Sequence, residues 1–373
     1  MILKNAKTLD KDFNPCVSDI RIEGERITEI GNNLTGGDAI DMTGKYVLPG
    51  FIDTHIHGAF GVRVSDGDAD LEKITSFEAT RGVTSLALTT AASEFDGLLG
   101  QLTRIRDASG RAKGAKIAAI HAEGPFISHK YKGAMTEKYI LTPKRDTLDK
   151  MLEASGGMLK ILTIAPEVEG SLDVIKYAVS NGVAVSMGHT DADYDTAMRA
   201  IEAGATRMTH TFNAARPINH REPGVLAAAL TCDSVTCEMI CDLVHLHFAT
   251  IKMIYALKGA DRINMISDSG HAAGLDVSEF EVDGVIRYVK DGVVRLANGT
   301  IAGSAMTLHD GVRNLIKGGI PIGDVAKMAS LIPARELGIE KDTGSIEAGK
   351  LADLAVLDGD FNVVKTFVNG REI

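Results

Sequence analysis

Through the middle of the chain, short runs of apolar and β-branched residues recur at regular intervals, and stretches with helical spacing of their apolar positions separate several of them. The runs FIDTHIH, VTSLALTT, AKIAAIHAE, LKILTIAPE, VAVSMGHT, ATRMTHTF, TCEMICDLVH and INMISDS predict eight strands. GSLDVIKYAVSNG and YDTAMRAIEAGA predict two of the helices between them. Eight β/α units within roughly 290 residues imply an α/β fold, a closed parallel (β/α)8 barrel of the TIM type rather than an open doubly wound sheet. The two ends read differently. VSDIRIEGERITEIG alternates apolar and polar residues between turn residues, and GSIEAGKLADLAVLDGDFNVVKTFVNGREI has short apolar runs punctuated by Gly and Asp. The expected organisation is a barrel over residues 49–342, with residues 1–48 and 343–373 building one small β domain together.

Composition narrows the function classes. The chain has 373 residues, 45% of them apolar and 24% charged, enough to bury a barrel-sized core, and it carries no low-complexity tract or repeat. A net charge of -10 disfavours a nucleic-acid surface but leaves room for a few cations focused on a small anionic ligand. The opening MILKNAKTLDKDF lacks the apolar stretch of a signal peptide, and no run approaches the roughly 18 residues of a membrane span, so a cytoplasmic location without membrane contact is expected. Of the four cysteines, Cys16 stands apart, while Cys232, Cys237 and Cys241 lack a CxxC pair and lie in an apolar stretch. Buried small residues, rather than a zinc site, are expected there.

The chemistry-bearing residues concentrate at the C-terminal ends of the predicted strands: His55 and His57, Thr89 and Thr90, Glu123, Glu167, His189, His210, His245 and Asp268. In a parallel barrel those ends meet at one mouth, where barrel enzymes keep their active sites. His55 and His57 alternate on one strand, so a period of two turns both imidazoles to the same face. Asp53 follows the same period and is expected to orient an imidazole. Imidazoles and carboxylates in this mixture suit a divalent metal at a catalytic site, Zn or Fe. Each alone has a plainer reading, Glu123 as a carboxylate capping the Gly-Pro turn and His210 as a satisfied core histidine.

The context PGFIDTHIHG resembles the first-strand motif of the amidohydrolases, and HAEGPFISHKYKGA, APE, SMGHTDADY, THTFNA, REPG, ISD and AGS together are similar to the N-acetylglucosamine-6-phosphate deacetylase family, over nearly the whole chain. The resemblance implies a barrel with a small β-sandwich from both termini. It implies one or two divalent metals on His55, His57, Glu123, His189 and His210, with Asp268 as proton shuttle for the attacking water and the leaving amine. His245 in CDLVHLHF would lie against the substrate near the scissile amide, with His247 supporting it. Asn213 and Ala214 would contact a phosphate, and Arg221 in REPG would reach that phosphate from the partner of a homodimer. A guanidinium suits that task because it donates two parallel hydrogen bonds.

Three departures bear on the sugar. KGAM puts Met135 where the family has a histidine, Leu243 replaces a glycine, and SGHAAG introduces His271. Amide hydrolysis of N-acetylglucosamine 6-phosphate is the expected reaction. N-acetylgalactosamine 6-phosphate, a cyclic-amide substrate and a metal-free scaffold are the alternatives.

Overall fold

The computed structural model describes residues 1–282 and 284–373. All eight predicted barrel strands are present: Phe51–Ile56, Val83–Ala91, Lys116–Glu123, Leu159–Ile164, Ala184–Met187, Ala205–Met208, Thr236–Ile240 and Ile263–Ile266. Each pairs in parallel with the next in chain order. Beyond the end of the eighth strand the barrel closes on the first, where the Asp268 N–H donates to the His55 carbonyl at 2.9 Å and the His57 N–H to the Ser269 carbonyl at 2.8 Å. This closure brings the Asp268 and His55 motifs side by side.

The strands are held from outside by a continuous apolar layer shared with the helices, including Phe51, Leu86, Ile120, Leu162, Val185 and Met239. Inside, at the N-terminal end, Ile52, Ala87, Ala119 and Ile161 pack against Ala334 and Leu337. The predicted helices are found at Ser171–Ser180 and Tyr194–Glu202. The second starts where the Asp193 carboxylate accepts the Thr196 N–H at 2.7 Å, which satisfies one of the donors a helix leaves open at its start.

The two chain ends form one mostly antiparallel sheet. Its link is the pairing of Tyr46–Pro49 with Leu354–Leu357, and its core holds Leu3, Ile20, Ile27, Val47, Val356 and Phe367. The alternation in VSDIRIEGERITEIG becomes the hairpin Pro15–Glu23 and Arg26–Gly31. One element was not expected: a four-stranded antiparallel sheet, Glu279–Val282, Val285–Lys290, Val293–Leu296 and Ile301–Ser304, inserted after the eighth barrel strand. Asp291 (φ 54°) and Gly292 (φ 76°) make a two-residue turn within it, the left-handed pair that favours Asp-Gly. Among the described residues, no helix is long and apolar enough to cross a membrane.

Candidate active site

Three of the strand-end residues adopt left-handed backbone that side chains other than Gly rarely take: His189 (φ 47°), His210 (φ 25°) and Asp268 (φ 47°). Each is held by a neighbour. The His189 carbonyl accepts the Ser128 N–H at 2.9 Å, the His210 N–H donates to Glu238 at 3.0 Å, and Asp268 is fixed by the barrel closure. These turns carry their side chains over the mouth.

There the imidazoles converge on one carboxylate. His189 Nε2 and His210 Nε2 each lie 3.0 Å from Glu123 Oε1, and 3.1 Å from one another. His55 Nε2 lies 3.4 Å from the same oxygen and 3.2 Å from His57 Nε2, which is 3.2 Å from Glu123 Oε2. Asp268 Oδ1 approaches His57 at 3.5 Å and His55 at 3.6 Å. The far side of two rings is already engaged: His189 Nδ1–H donates to the Tyr131 carbonyl at 2.8 Å and His55 Nδ1–H to Glu238 at 3.0 Å. In the neutral tautomers so fixed, Nε2 of each ring is an acceptor facing the acceptor oxygen of Glu123. Acceptors gathered around one point require positive charge between them, and imidazole with carboxylate fits a divalent cation. Two such groups, Glu123/His189/His210 and His55/His57/Asp268, have ligand atoms within 4.8 Å of one another.

The carboxylates draw positive charge to this point, whether a proton or a cation. Burial alone would hold the His55 imidazolium down, yet Glu123, Glu238 and Asp268 outweigh it and push its pKa well above the ordinary histidine range. Burial opposes ionisation of Glu123, but His55 and His189 hold its pKa well below the usual carboxylate value.

A sequence profile of the amidohydrolase family matches residues 46–373. An N-acetylglucosamine-6-phosphate deacetylase of Lysinibacillus sphaericus is 31% identical, covering 100% of this chain and 97% of its own. An N-acetylgalactosamine-6-phosphate deacetylase of Escherichia coli is 33% identical over 88% of this chain and 87% of its own. The solved structure of a mutant N-acetyl-D-glucosamine-6-phosphate deacetylase from Mycobacterium smegmatis, in complex with N-acetyl-D-glucosamine-6-phosphate, superposes with a TM-score of 0.92 at 32% identity, covering 100% of this chain and 98% of that one. The chain belongs to the amidohydrolase family, among the N-acetylglucosamine-6-phosphate deacetylases. Enzymes of this family depend on bound metal, and the clustered imidazoles and carboxylates are the groups that would hold it.

Around the cluster opens a cavity of about 830 Å³ whose lining includes His57, Glu123, His189, His210, His245 and Asp268. Asn213 and Ala214 also line it, as do Thr89, Met135 and His271. His245 is anchored by Asp242, whose Oδ2 accepts from Nδ1 at 2.6 Å, while Oδ1 accepts the His245 N–H at 2.8 Å. Arg221 is exposed on the loop after the sixth barrel strand, its N–H bonded to Asn219 Oδ1 at 2.9 Å, and is not among the cavity residues.

Several expectations change. Asp53 does not orient an imidazole. An irregularity between Asp53 and Ile56 breaks the period of two, and its Oδ1 accepts instead the backbone N–H groups of His55 (3.2 Å) and Ser267 (3.3 Å). Burial raises its pKa to about 6. His247 does not support His245, because the seventh strand stops at Ile240 and His247, exposed, caps the helix Phe248–Lys258 by accepting the Ala249 N–H at 3.2 Å. Leu243 is 42% exposed and does not line the cavity. Thr90 is buried and does not line the cavity, and Glu167 orders the loop after His189 by accepting the Asp191 N–H at 2.6 Å. Cys237 and Cys241 are buried as expected, and burial pushes the Cys237 thiol up to about 11. Among the described residues, no metal-capable group includes a cysteine.

Sequence reasoning missed three buried polar residues beneath the site: His121, Arg207 and Glu238, each in a strand that also carries buried apolar residues. A polar side chain among apolar neighbours was the available signal, since a buried polar or ionised group needs a partner.

Proposed function

We propose that the chain hydrolyses the N-acetyl group of N-acetylglucosamine 6-phosphate, giving glucosamine 6-phosphate and acetate. The observation that carries this reading is the gathering of Asp268 with the Glu123 and imidazole cluster on the wall of one cavity. Glu123, His189 and His210 would hold one cation, and His55 and His57 with Asp268 a second, Zn or Fe. When bound, such a cation supplies the Lewis acidity that lowers the pKa of water and polarises an amide carbonyl. Asp268, 14% exposed through its side chain, accepts the proton of the attacking water at its carboxylate and returns one to the departing amine. His245, braced at Nδ1 by Asp242, turns Nε2 toward the substrate carbonyl or a sugar hydroxyl. Asn213 and Ala214 contact the phosphate, and Arg221 of a homodimer reaches it from the neighbouring subunit of a cytoplasmic enzyme.

Two particular observations support a second reading, the galactosamine epimer. Met135 and His271 both line the cavity, where they alter its polar groups, and the Escherichia coli relative is named for N-acetylgalactosamine 6-phosphate. Acetate release from both sugar phosphates and from free N-acetylglucosamine separates the readings. The highest kcat/KM is expected with N-acetylglucosamine 6-phosphate. A preference of about tenfold or more, 1.4 kcal/mol, for the galactosamine epimer moves the assignment to that sugar, and no acetate from any of the three ends it.

A further inference from the structure

The two groups of ligand-capable residues are joined from below by a carboxylate that belongs to neither. Glu238 lies on the seventh barrel strand between Cys237 and Met239, whose side chains pack in the apolar layer outside the barrel, so alternation turns Glu238 inward. It is fully buried. Its Oε2 accepts both His55 Nδ1–H and the His210 backbone N–H, each at 3.0 Å, while Oε1 accepts from an Arg207 Nη at 2.7 Å. Arg207, itself 1% exposed, continues to the carboxylate of Glu336.

Packing alone does not explain this arrangement, because well-packed apolar side chains of similar volume often replace a buried ion pair with no loss of stability. What the ion pair does provide is direction. A proton donated at Nδ1 leaves His55 Nε2 bare toward the mouth, and the same carboxylate oxygen fixes the turn that presents His210. Glu238 therefore grips one member of each ligand group. Glu238 is not itself a ligand in a third cluster with His55 and His121, although the three stand close. Both His121 nitrogens are already engaged, Nδ1–H donating to the Thr54 carbonyl at 3.0 Å and Nε2 accepting from the Thr163 hydroxyl at 2.8 Å. Burial pushes its pKa down to about 3, consistent with a neutral structural ring.

We infer that Glu238, braced by Arg207, is a positioning residue for the cation site at His55, His57 and Asp268. The inference rests on the two-cation reading above. Its test is titration of metal-stripped protein with Zn2+ against a chromophoric chelator, which resolves each equivalent without reference to activity. The unaltered chain should take up two equivalents. Glu238→Gln, close in size, should weaken one of them by about ten- to a hundredfold, the usual effect of losing a ligand's orienting partner, and leave the other in place. Uptake of two equivalents with unaltered affinities, or equal weakening of both, overturns the positioning role. A single equivalent in the unaltered chain overturns the two-cation reading and this inference with it. Should Glu238→Gln fold poorly because Arg207 loses one of its two carboxylate partners, Glu238→Gln/Arg207→Met/Glu336→Gln neutralises the whole buried set, and the same selective weakening is expected of it.

Discussion

Asp268 combines a left-handed backbone, a carbonyl that accepts the Ser304 N–H at 2.9 Å, and a carboxylate directed at His55 and His57. Its backbone bonds survive a change of side chain, so Asp268→Asn should keep the fold while losing the proton acceptor. Turnover should fall at least about a hundredfold, the lower end for a general acid–base group. Near-normal turnover of a correctly folded variant, checked by circular dichroism, contradicts the shuttle role. At this scale the sequence was readable where a reactive side chain ends an apolar strand, as with Glu123, His189 and His210. It was not readable where tertiary pairing decides. Asp53 obeyed the period of two on paper, but the local irregularity moved its carboxylate onto backbone N–H groups. Glu238 and Arg207 fall within strands rather than at their ends, and their meaning appears only when neighbouring strands place them opposite each other.

Among the elements, the eight barrel strands were legible because burial on both faces demands near-continuous apolar runs, and those runs survive in the sequence as blocks. The inserted sheet was not. Its strands are half exposed, with Val285, Ile286 and Tyr288 between 42% and 48% accessible, and their alternation merges with the helical patterns that follow. The Asp-Gly turn at Asp291 was the signal to use. Helix starts were equally local: Asp193 caps Tyr194–Glu202, which follows the loop carrying His189. Asp193→Ala should cost about 1 kcal/mol in chemical denaturation. The hydrogen bonds from Thr196 hold the Asp193 pKa below its ordinary value, so the cap contributes fully above the unfolded value of about 3.9 and fades as pH falls through the lowered native one. The difference between the two proteins should therefore shrink in strong acid; a constant difference across that range contradicts the cap assignment.

For the whole molecule, the pairing of Tyr46–Pro49 with Leu354–Leu357 joins both chain ends into one sheet, and Lys116 ties it to the barrel through an ion pair with Asp353. Similar β patterning at the two ends made this legible, although register and strand order were not. Assembly belongs to the same scale. Arg221, outside the cavity of its own chain, should act on a neighbour's substrate. Loss of its charge-assisted contact should cost on the order of 2–3 kcal/mol, roughly thirtyfold to over a hundredfold in kcat/KM for the phosphorylated sugar only. Mixing Arg221→Ala with Asp268→Asn should partly restore activity once subunits exchange, since one composite site then has both groups intact. No recovery despite proven exchange places Arg221 within its own chain or outside the reaction.

Metal-dependent deacetylation is the central claim, and the direct measurement is acetate release from N-acetylglucosamine 6-phosphate by protein stripped of metal and then reloaded with Zn2+ or Fe2+. The cluster of Glu123, His189 and His210 predicts that stripped protein is inactive, that reloading restores release of one acetate for each free amine formed, and that a chain lacking these three side chains is not restored by any metal. Undiminished acetate release from fully stripped protein, or none from reloaded protein, contradicts the account.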